Sequence, residues 1–368
     1  MKEGWTYKKL GEVAKISSGK AIPSSDIIDT FSEGFYPCYG GNGLRGYVDH
    51  FSNDGLVPVI GRVGALCGNV HLPQGKFYAT EHALVVYLKT KDKPHYIEYL
   101  LSSLNLRQYA KGVAQPVLSA STLSEITIPV PPLSEQQRIV SELDLLSSII
   151  EKKKAQLKEY DQLAQSIFYD MFGDPVENEK GWEVKKLGEV AKEKLSYGSG
   201  ASAIPYDNEI RYVRITDIKD DGELNCDMVS PNTYDDKYLL NDGDILFARS
   251  GATVGKTFLY KEKYGKCIYA GYLIRLIPNT KIVIPSYVYG FTKSPYYRSF
   301  VAKAQNAVAQ PNINAKQYSE LSIPLPPLSL QQSFASKIEA IERQKALVQQ
   351  SITEVETLFN SRMDYWFS

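Results

Sequence analysis

The chain has 368 residues, 43% of them hydrophobic and 11% aromatic, a composition that excludes a disordered protein and suffices for two domains of ordinary size. Lysine plus arginine and aspartate plus glutamate both number 42, so bulk charge alone does not indicate a nucleic-acid-binding protein. No run of about 18 apolar residues occurs and the first residues hold no apolar signal segment, so we expect a soluble, cytoplasmic chain without a membrane span.

The four cysteines show no metal-binding or disulfide pattern. None forms a Cys-x-x-Cys pair, so we expect buried, unbonded thiols rather than a zinc site or a disulfide framework. They are Cys38, Cys67, Cys226 and Cys267.

Residues 1–133 have the pattern of a β-rich domain. Short apolar runs, such as Leu56–Ile60 and Ala83–Leu88, are separated by clusters of glycine, proline and asparagine. We expect strands joined by turns.

Residues 134–175 are predicted to contain a long helix. Apolar residues recur with the spacing of a coiled-coil heptad, and Lys153 takes one of the seam positions. A capping box of Ser134 and Gln137, just after two prolines, predicts the start, and Gly173 predicts the end, so the helix covers Ser134–Phe172. The apolar seam residues are Ile139, Leu143, Leu146, Ile150, Leu157, Tyr160, Ala164, Ile167 and Met171.

The second half of the chain repeats the first. The run Trp5–Lys15 returns as Trp182–Lys192, 177 residues later, and Gly112–Ser134 returns as Ala307–Ser329, 195 residues later. A second β-rich domain and a second heptad helix are therefore predicted. The four segments are 1–133, 134–175, 176–328 and 329–368. The second seam consists of Phe334, Ile338, Ile341, Lys345, Val348, Ile352, Val355, Phe359, Arg362 and Trp366.

Two β-rich domains, each followed by a long helix, predict an α+β protein with pseudo-twofold symmetry. A helix of this length is a rod of roughly 55 Å whose apolar stripe has to be buried. We expect the two helices to form an antiparallel coiled coil that sets the distance between the domains. The alternative is that each helix packs on its own domain. The residues expected to hold the helices together are Ile139, Leu143, Leu146, Leu157, Phe334, Ile338, Ile341 and Ile352.

Two lysines, Lys153 and Lys345, interrupt the apolar seams. A lone buried lysine is costly, so we expect each to extend its ammonium group to solvent or to meet an acidic partner.

No sequence pattern indicates catalysis, a metal site or a bound cofactor. The run Gly251–Thr257 has three residues between its glycines where a phosphate-binding loop has four, and an apolar segment follows it instead of a helix. The histidines form no H-E-x-x-H pattern, and no methyltransferase tetrapeptide of the form N/D-P-P-Y/F occurs. We therefore expect a protein without an active site.

Loops that combine tyrosine, arginine, asparagine and glycine occupy matching places in the two halves. Arg62 and Arg249, 187 residues apart, both follow an apolar run and precede a glycine. Arginine can make paired hydrogen bonds to guanine, and asparagine can make them to adenine. Lysine, serine and backbone amides can bind phosphate groups. The same loops are equally consistent with ordinary turns whose arginines point into water. The candidate DNA-binding residues are Tyr39, Asn42, Arg45, Tyr47, Arg62, Arg249, Ser250 and Lys256.

The duplicated order of motifs resembles the DNA specificity subunit of type I restriction-modification systems, and the resemblance covers the whole chain. Its motifs are W-x-x-K-K-L-G-E-V at Trp5 and Trp182, Arg-x-Gly in the loops, A-Q-P at Ala114–Pro116 and Ala309–Pro311, and Pro-Pro-Leu before each helix. The resemblance implies that each β-rich domain is a target recognition domain reading one half of a bipartite site in double-stranded DNA. It also implies that the helices are the spacer that sets the gap.

The resemblance further implies the partners of this chain. They are two methyltransferase subunits, which bind S-adenosylmethionine, and restriction subunits with motor and nuclease functions, which need ATP and Mg²⁺. This chain itself is expected to carry no cofactor and to be no enzyme.

Two alternatives remain at this point. The first is a coiled-coil protein-interaction scaffold, which would bind no DNA even with methyltransferase subunits present. The second is a sugar-binding β protein, suggested by the 26 tyrosines, and if hydrolytic it would need a pair of carboxylates in a cleft.

Overall fold

The computed structural model describes residues 4–112, 116–306 and 312–368. Its contacts divide the chain into two compact units, Met1–Lys154 with Gln350–Ser368, and Ala155–Gln349. Each unit therefore joins one β-rich domain to a segment from each of two long helices. Among the described residues, no helix combines the length and apolar character that a membrane span requires. Most of the predicted A-Q-P segments, all but Pro116, lies outside the described residues.

Among its described residues, unit 1 contains nine strands, three short α-helices and parts of both long helices, of which the first begins in this unit. The strands are β1 Thr6–Lys9, β2 Ala14–Ser18, β3 Tyr36–Gly40, β4 Gly43–Val48, β5 Val59–Gly61, β6 Val70–His71, β7 Tyr78–Ala79, β8 Ala83–Leu88 and β9 Thr127–Val130. The helices are α1 Leu10–Val13, α2 Pro94–Ser103, α3 Ala120–Ser124 and α4 Leu133–Phe172. The strands form a four-stranded sheet of order β2-β8-β5-β6, a three-stranded sheet of order β4-β3-β7, and the pair β1-β9.

Unit 2 repeats the four-stranded sheet and the end pair of unit 1, but it has two two-stranded sheets where unit 1 has the three-stranded sheet. Its strands are β10 Glu183–Lys186, β11 Ser196–Tyr197, β12 Ala203–Pro205, β13 Arg211–Val213, β14 Val229–Pro231, β15 Ile245–Ala248, β16 Thr257–Leu259, β17 Cys267–Tyr269, β18 Leu273–Leu276 and β19 Ser322–Leu325. Its helices are α5 Pro285–Phe291, α6 Pro295–Asn306, α7 Ala315–Ser319 and α8 Leu328–Phe367. The sheets are β11-β18-β15-β16, β12-β14, β13-β17 and β10-β19. In unit 1, the strands expected within 56–60 and 83–88 are confirmed by β5 and β8.

The four-stranded sheets and the end pairs of the two units share strand register as well as strand order. In the four-stranded sheets Ile60 pairs with Leu84, and Phe247, 187 residues after Ile60, pairs with Ile274. The pairs β1-β9 and β10-β19 also match along their whole length, since Thr6 faces Val130 and Glu183 faces Leu325. A register shift of one residue would reverse every side chain between core and surface. The duplicated sequence therefore specifies the same backbone frame, meaning the same strand pairing and register, in both units.

The long helices run antiparallel to each other within each unit. In unit 1 Glu142 of α4 accepts hydrogen bonds from Arg362 and Trp366 of α8, while Lys154 pairs with Glu356 at 3.2 Å. In unit 2 Phe168 packs edge-on against Phe334 at 5.7 Å. Position numbers rise along α4 as they fall along α8, which confirms the predicted antiparallel pairing.

The predicted seam residues are buried or half-buried, and several of them pack into the domain cores as well as against the other helix. Ile139, Leu143, Leu146, Ile150, Phe334, Ile341, Val348, Ile352 and Trp366 are buried, whereas Leu157 and Ile338 are half-buried. Helix pairing and packing on a domain, treated as alternatives from the sequence, thus coexist. Both helices are 40 residues long because they also supply core residues to the domains.

Aromatic side chains fill the junction between helices and domain in unit 2. Phe168 of α4 stacks on Tyr287 of α5 with ring centroids 5.7 Å apart, and Phe334 of α8 lies against the same group. A Cβ atom at Gly290 would lie 3.0 Å from Phe168 and 3.1 Å from Phe334. Glycine at this position therefore allows α5 to approach both helices.

A buried glutamine lies one turn into each long helix. Gln136 has no exposed surface; its Oε1 accepts the backbone N–H of Lys93, which caps α2, at 2.9 Å, and its Nε2 donates to the Pro131 carbonyl at 3.0 Å. Gln331 repeats this arrangement with Ile284, the cap of α5, and Pro326, both at 2.8 Å.

The predicted capping box at Ser134 and Gln137 is wrong. Helix α4 begins at Leu133, and the Pro132 carbonyl accepts the first backbone bonds from Glu135 and Gln136, so Ser134 is already inside the helix. Gln137 bonds Ser141 instead of reaching back.

The two seam lysines and the cysteines were further predictions. Lys345 meets Asp161 at 2.8 Å and Glu342 at 3.5 Å, which confirms an acidic partner for it, and Lys153 is half-buried. All four cysteines are free thiols, as expected, and three of them are buried. Cys226 is exposed, so the expectation of burial is wrong there, because its segment before β14 is a surface loop.

Replacing the buried glutamines should destabilise the chain. Gln136→Leu or Gln331→Leu leaves a buried N–H and a carbonyl without a partner, so the free energy of unfolding should fall by about 1–3 kcal/mol. Urea unfolding of the full chain measures the loss. The matched controls are Gln137→Leu and Gln332→Leu at the exposed neighbours, where a change within about 0.5 kcal/mol is expected. Equal losses in both pairs would contradict the anchoring role.

Unit 2 holds a buried ion pair where unit 1 is apolar. Arg275 of β18 pairs with Asp244 at 2.6 Å, and their side chains are 6% and 2% exposed. Burial raises the pKa of Asp244 even though Arg275 is adjacent, so the folded state favours the ionised carboxylate less than water does. By the shared register the equivalent residues of unit 1 are Val57 and Val85, which pack together.

Removing one partner of this pair should be far more damaging than removing both. Asp244→Val strands a buried guanidinium, and we expect it to lower the free energy of unfolding by about 3–5 kcal/mol. The double variant Asp244→Val/Arg275→Val copies unit 1 and should stay within about 1 kcal/mol of the parent or exceed it. A double-mutant cycle by urea unfolding tests this, and additive losses would show that the two sheets are not equivalent here.

Candidate nucleic-acid interface

The loop after β15 holds Arg249 in a fixed backbone position. Its N–H donates to the Tyr272 carbonyl at 3.1 Å, and its carbonyl accepts the N–H of Ile313 at 2.8 Å. The guanidinium lies over the ring of Tyr197, 4.8 Å from the centroid, and Nε donates to Asn312 Oδ1 at 3.3 Å. Stacking and a hydrogen bond therefore orient a half-buried arginine from two sides.

Unit 1 holds Arg62 by the same two backbone bonds. Its N–H donates to the His82 carbonyl at 2.9 Å, and its carbonyl accepts the N–H of Leu118 at 2.9 Å. The guanidinium Nη1 donates to the Glu81 carbonyl at 3.3 Å. The predicted equivalence of Arg62 and Arg249 is thus a structural equivalence of their loops.

The side chains around the two arginines differ although the frame is shared. Positions matched by strand register and backbone bonds carry a small or aliphatic residue or a histidine in unit 1, and a tyrosine or asparagine in unit 2. The matched pairs are Ser18 with Tyr197, His82 with Tyr272, and Val117 with Asn312. Tyr197 and Tyr272 are 41% and 62% exposed, so their rings are available to a ligand.

In unit 1 the β3–β4 turn lies on the Arg62 loop. A Cβ at Gly61 would lie 2.2 Å from the Gly41 carbonyl, and a Cβ at Gly41 would lie 3.3 Å from the His82 carbonyl. Asn42, at the tip of this turn, is exposed. The structure therefore brings Asn42, Arg62 and His82 together.

Several buried polar atoms near this turn lack a partner among the described residues. They are Arg62 Nε, His71 Nε2 and Glu81 Oε2. Buried polar atoms are normally satisfied, so these three are available to water or to a ligand. Burial also lowers the pKa of His71.

The other predicted residues of unit 1 lie on the hairpin beside the turn. Tyr39 packs against Phe77 at 5.8 Å and is half-buried, so it supports the turn more than it presents a surface. Arg45 is exposed and donates to Ser24 Oγ at 2.7 Å. Tyr47 is half-buried and packs against the exposed ring of Phe31 at 5.5 Å.

The remaining two predicted residues of unit 2 lie in different places. Ser250 is half-buried and forms an isolated bridge with Asn312, so it belongs to the Arg249 loop. Lys256 points away from that loop, pairs with Asp220 at 2.7 Å and donates to the Ile218 carbonyl at 3.3 Å. Its charge is therefore already compensated within the domain.

Sequence reasoning missed the residues that surround the arginines: Tyr197, Tyr272, Asn312 and His82. Each lies far from its arginine in sequence and is brought to it by strand pairing. The one available signal was the duplication itself, because aligning the two halves by strand register would have matched these positions in advance.

The arrangement suits binding rather than bond cleavage. It offers guanidinium groups, amides, aromatic faces and glycine-loop backbone, which are the groups that contact phosphates and base edges. Within the described ranges, no cluster of three histidine, cysteine or carboxylate side chains could hold a metal ion.

Comparison with known families gives a match over most of the chain. A family model described as the type I restriction modification DNA specificity domain matches residues 2–159 and 179–357, once for each half. The EcoprrI specificity subunit of Escherichia coli is 43% identical over 143 residues, which is 39% of this chain and 36% of that relative. The MjaVIII specificity subunit of Methanocaldococcus jannaschii is 23% identical, with 92% of this chain and 86% of the relative covered.

Two solved structures share the fold. The S subunit of a type I restriction-modification system from M. genitalium has a TM-score of 0.59 at 17% identity, over 98% of this chain and 95% of the other. A chain from a type I R-M system has a TM-score of 0.55 at 18% identity, over 100% and 98%. These matches leave the scaffold and sugar-binding alternatives without support.

Proposed function

The chain belongs to the family of type I restriction modification DNA specificity domains, and on this premise we propose that it is the DNA-reading subunit of a type I complex, with each β-rich domain reading one half of a bipartite site. One observation carries this proposal: the two units present equivalent arginine loops in one frame with different neighbouring side chains. Two copies of one frame with unequal side chains suit two unequal half-sites.

Within this proposal, the shared arginines contact the DNA backbone. Arg62 and Arg249 are both arginines at equivalent positions of the two units. Because the two units present the same group there, these arginines cannot distinguish one half-site from the other. A phosphate group is the same in every sequence, and it is a natural partner for a held guanidinium. Ser250 and the glycine-loop amides add donors of the same kind.

The diverged neighbours then carry base recognition. Asn42 is exposed beside Arg62, and Asn312 and Tyr272 flank Arg249. An asparagine amide can make paired hydrogen bonds to adenine in the major groove, and tyrosine can stack or donate a hydrogen bond. His82 replaces Tyr272 in unit 1, which gives that domain a different polar group at the same position.

The helices and partners complete the proposal. The domains are residues 1–133 and 176–328, and the segments 134–175 and 329–368 form a spacer related by a pseudo-twofold axis that sets the gap between half-sites. Two methyltransferase subunits carrying S-adenosylmethionine, and restriction subunits using ATP and Mg²⁺, would perform the chemistry on cytoplasmic DNA. This chain would supply recognition and no catalysis.

Removing the arginines should weaken binding to all sequences alike. For Arg62→Ala and Arg249→Ala in the assembled methyltransferase, we expect lower DNA affinity and an unchanged methylated sequence. The salt-dependence slope should fall by about 1 for each arginine that neutralises a phosphate group. Fluorescence titration at several salt concentrations and genome-wide mapping of methylated adenines measure these quantities.

A matched control is Lys281→Ala, which removes a cation from an exposed loop of unit 2 and should change neither quantity. An altered methylated sequence in Arg62→Ala or Arg249→Ala would assign that arginine to a base. Unchanged affinity in both variants would remove them from the interface.

Exchanging one domain should change one half of the site. Replacing residues from about Leu187 to about Leu321 with the corresponding block of a related subunit keeps α4, α8 and unit 1 intact. Methylation mapping should then show one new half-site at the old spacing. Simultaneous change of both halves would contradict independent reading by the two domains.

A further inference from the structure

Unit 2 encloses a cavity of about 600 Å³. Its walls come from the loop 219–223, α5, and parts of α4 and α8 that belong to this unit. The volume falls in the range of small-molecule sites, which is about 300–1,000 Å³. The loop that follows Arg249 contributes its last residues, Val254, Gly255 and Lys256, to the wall, whereas Arg249 itself does not line the cavity.

Most lysines on the cavity wall are paired with carboxylates. Lys219 pairs with Asp221 at 2.9 Å. Lys256 pairs with Asp220 at 2.7 Å, and Lys345 pairs with Asp161 at 2.8 Å. Each of these three ammonium groups therefore has a carboxylate partner.

Lys293 differs from them. It follows α5, it is half-buried, and its Nζ lies 4.5 Å from the ring centroid of Tyr289. No carboxylate oxygen of the described residues lies within 4.0 Å of that nitrogen. The backbone of Gly222 covers the amine on one side, since a Cβ there would lie 2.9 Å from Nζ and 1.9 Å from Tyr289 Oη. Lys293 and Tyr289 both line the cavity.

The charges near Lys293 do not offset the effect of burial on its pKa. Burial lowers the pKa of Lys293 to about 8, with Lys345 acting in the same direction, and the more distant Asp221 and Asp161 compensate only in part. Burial also acts on Lys345, but its hydrogen bond to Asp161 and the nearby Glu342 outweigh burial and raise its pKa. Two lysines on one wall thus have opposite shifts, which makes Lys345 an internal comparison.

We infer that this cavity is a covalent binding site for a small aldehyde, with the amine of Lys293 as the nucleophile. The nitrogen lone pair attacks the carbonyl carbon and forms a carbon–nitrogen bond, while the carbonyl oxygen takes up a proton. Loss of water, with departure of the second proton from nitrogen, gives an imine. The step needs no oxidant or reductant and is reversible. The inference does not depend on the proposed role in DNA recognition.

Pyridoxal is a suitable probe, with sodium borohydride to reduce the imine to a stable amine and peptide mass mapping to locate it. The full chain is treated at a series of pH values. At pH 8 about half of Lys293 is neutral, against well under 1% of an ordinary lysine. We expect Lys293 to react at least about tenfold faster than the exposed Lys281, with a rate midpoint near pH 8, and Lys345 to stay slow.

Two variants separate the amine from the cavity. Lys293→Arg keeps the positive charge and should lose that adduct while labelling of Lys281 is unchanged. Ala164→Phe places a ring into the cavity from α4 and should slow labelling of Lys293 several-fold without affecting Lys281. Thermal unfolding confirms that each variant is folded.

A probe too large for the cavity serves as a test without mutation. Oxidised dextran carries aldehydes on a polymer, and it should label Lys281 and spare Lys293. Labelling of Lys293 no faster than Lys281, a rate midpoint above pH 10, or equal labelling of Lys293 by dextran would each overturn the inference.

Discussion

The buried glutamine at the start of each long helix fixes that helix to its β-rich domain. Gln136 and Gln331 each join a proline carbonyl behind the helix to the first amide of a domain helix. Because such an amide is fully desolvated, its donors and acceptor have to be satisfied in one geometry. The rotation of the helix about its own axis is thereby fixed within its unit, and the apolar stripe that follows is directed into the core.

The shared frame explains how one fold can present two different surfaces. Strand register and the backbone bonds around Arg62 and Arg249 are the same in both units. These interactions involve main-chain atoms, so they tolerate change in the side chains that project from the loops. Side chains on the loops can therefore diverge at little cost in stability, whereas a change of strand register would disrupt the core.

The two units also differ in their buried polar side chains. Unit 2 places Arg275 and Asp244 where unit 1 places two valines, and it lines a cavity with several lysine–carboxylate pairs together with Lys293. Divergence after duplication thus reached the interior as well as the loops. A buried pair survives such change only if both partners are present, which couples positions on neighbouring strands.

The sequence alone determined the duplication, the heptad helices, the antiparallel pairing and the equivalence of Arg62 with Arg249, because periodicity and repeated motifs are local properties that survive in one dimension. It also predicted that Lys345 would either extend its ammonium group to solvent or meet an acidic partner, and the structure shows the acidic partner. The tertiary structure decided which residues that lie far apart in the sequence contact each other. Tyr197, Tyr272 and Asn312 meet Arg249 only through strand pairing, Lys256 turns to Asp220 instead, and Gln136, not Gln137, anchors the helix. Such contacts depend on register and side-chain direction in three dimensions, and no spacing along the chain encodes them.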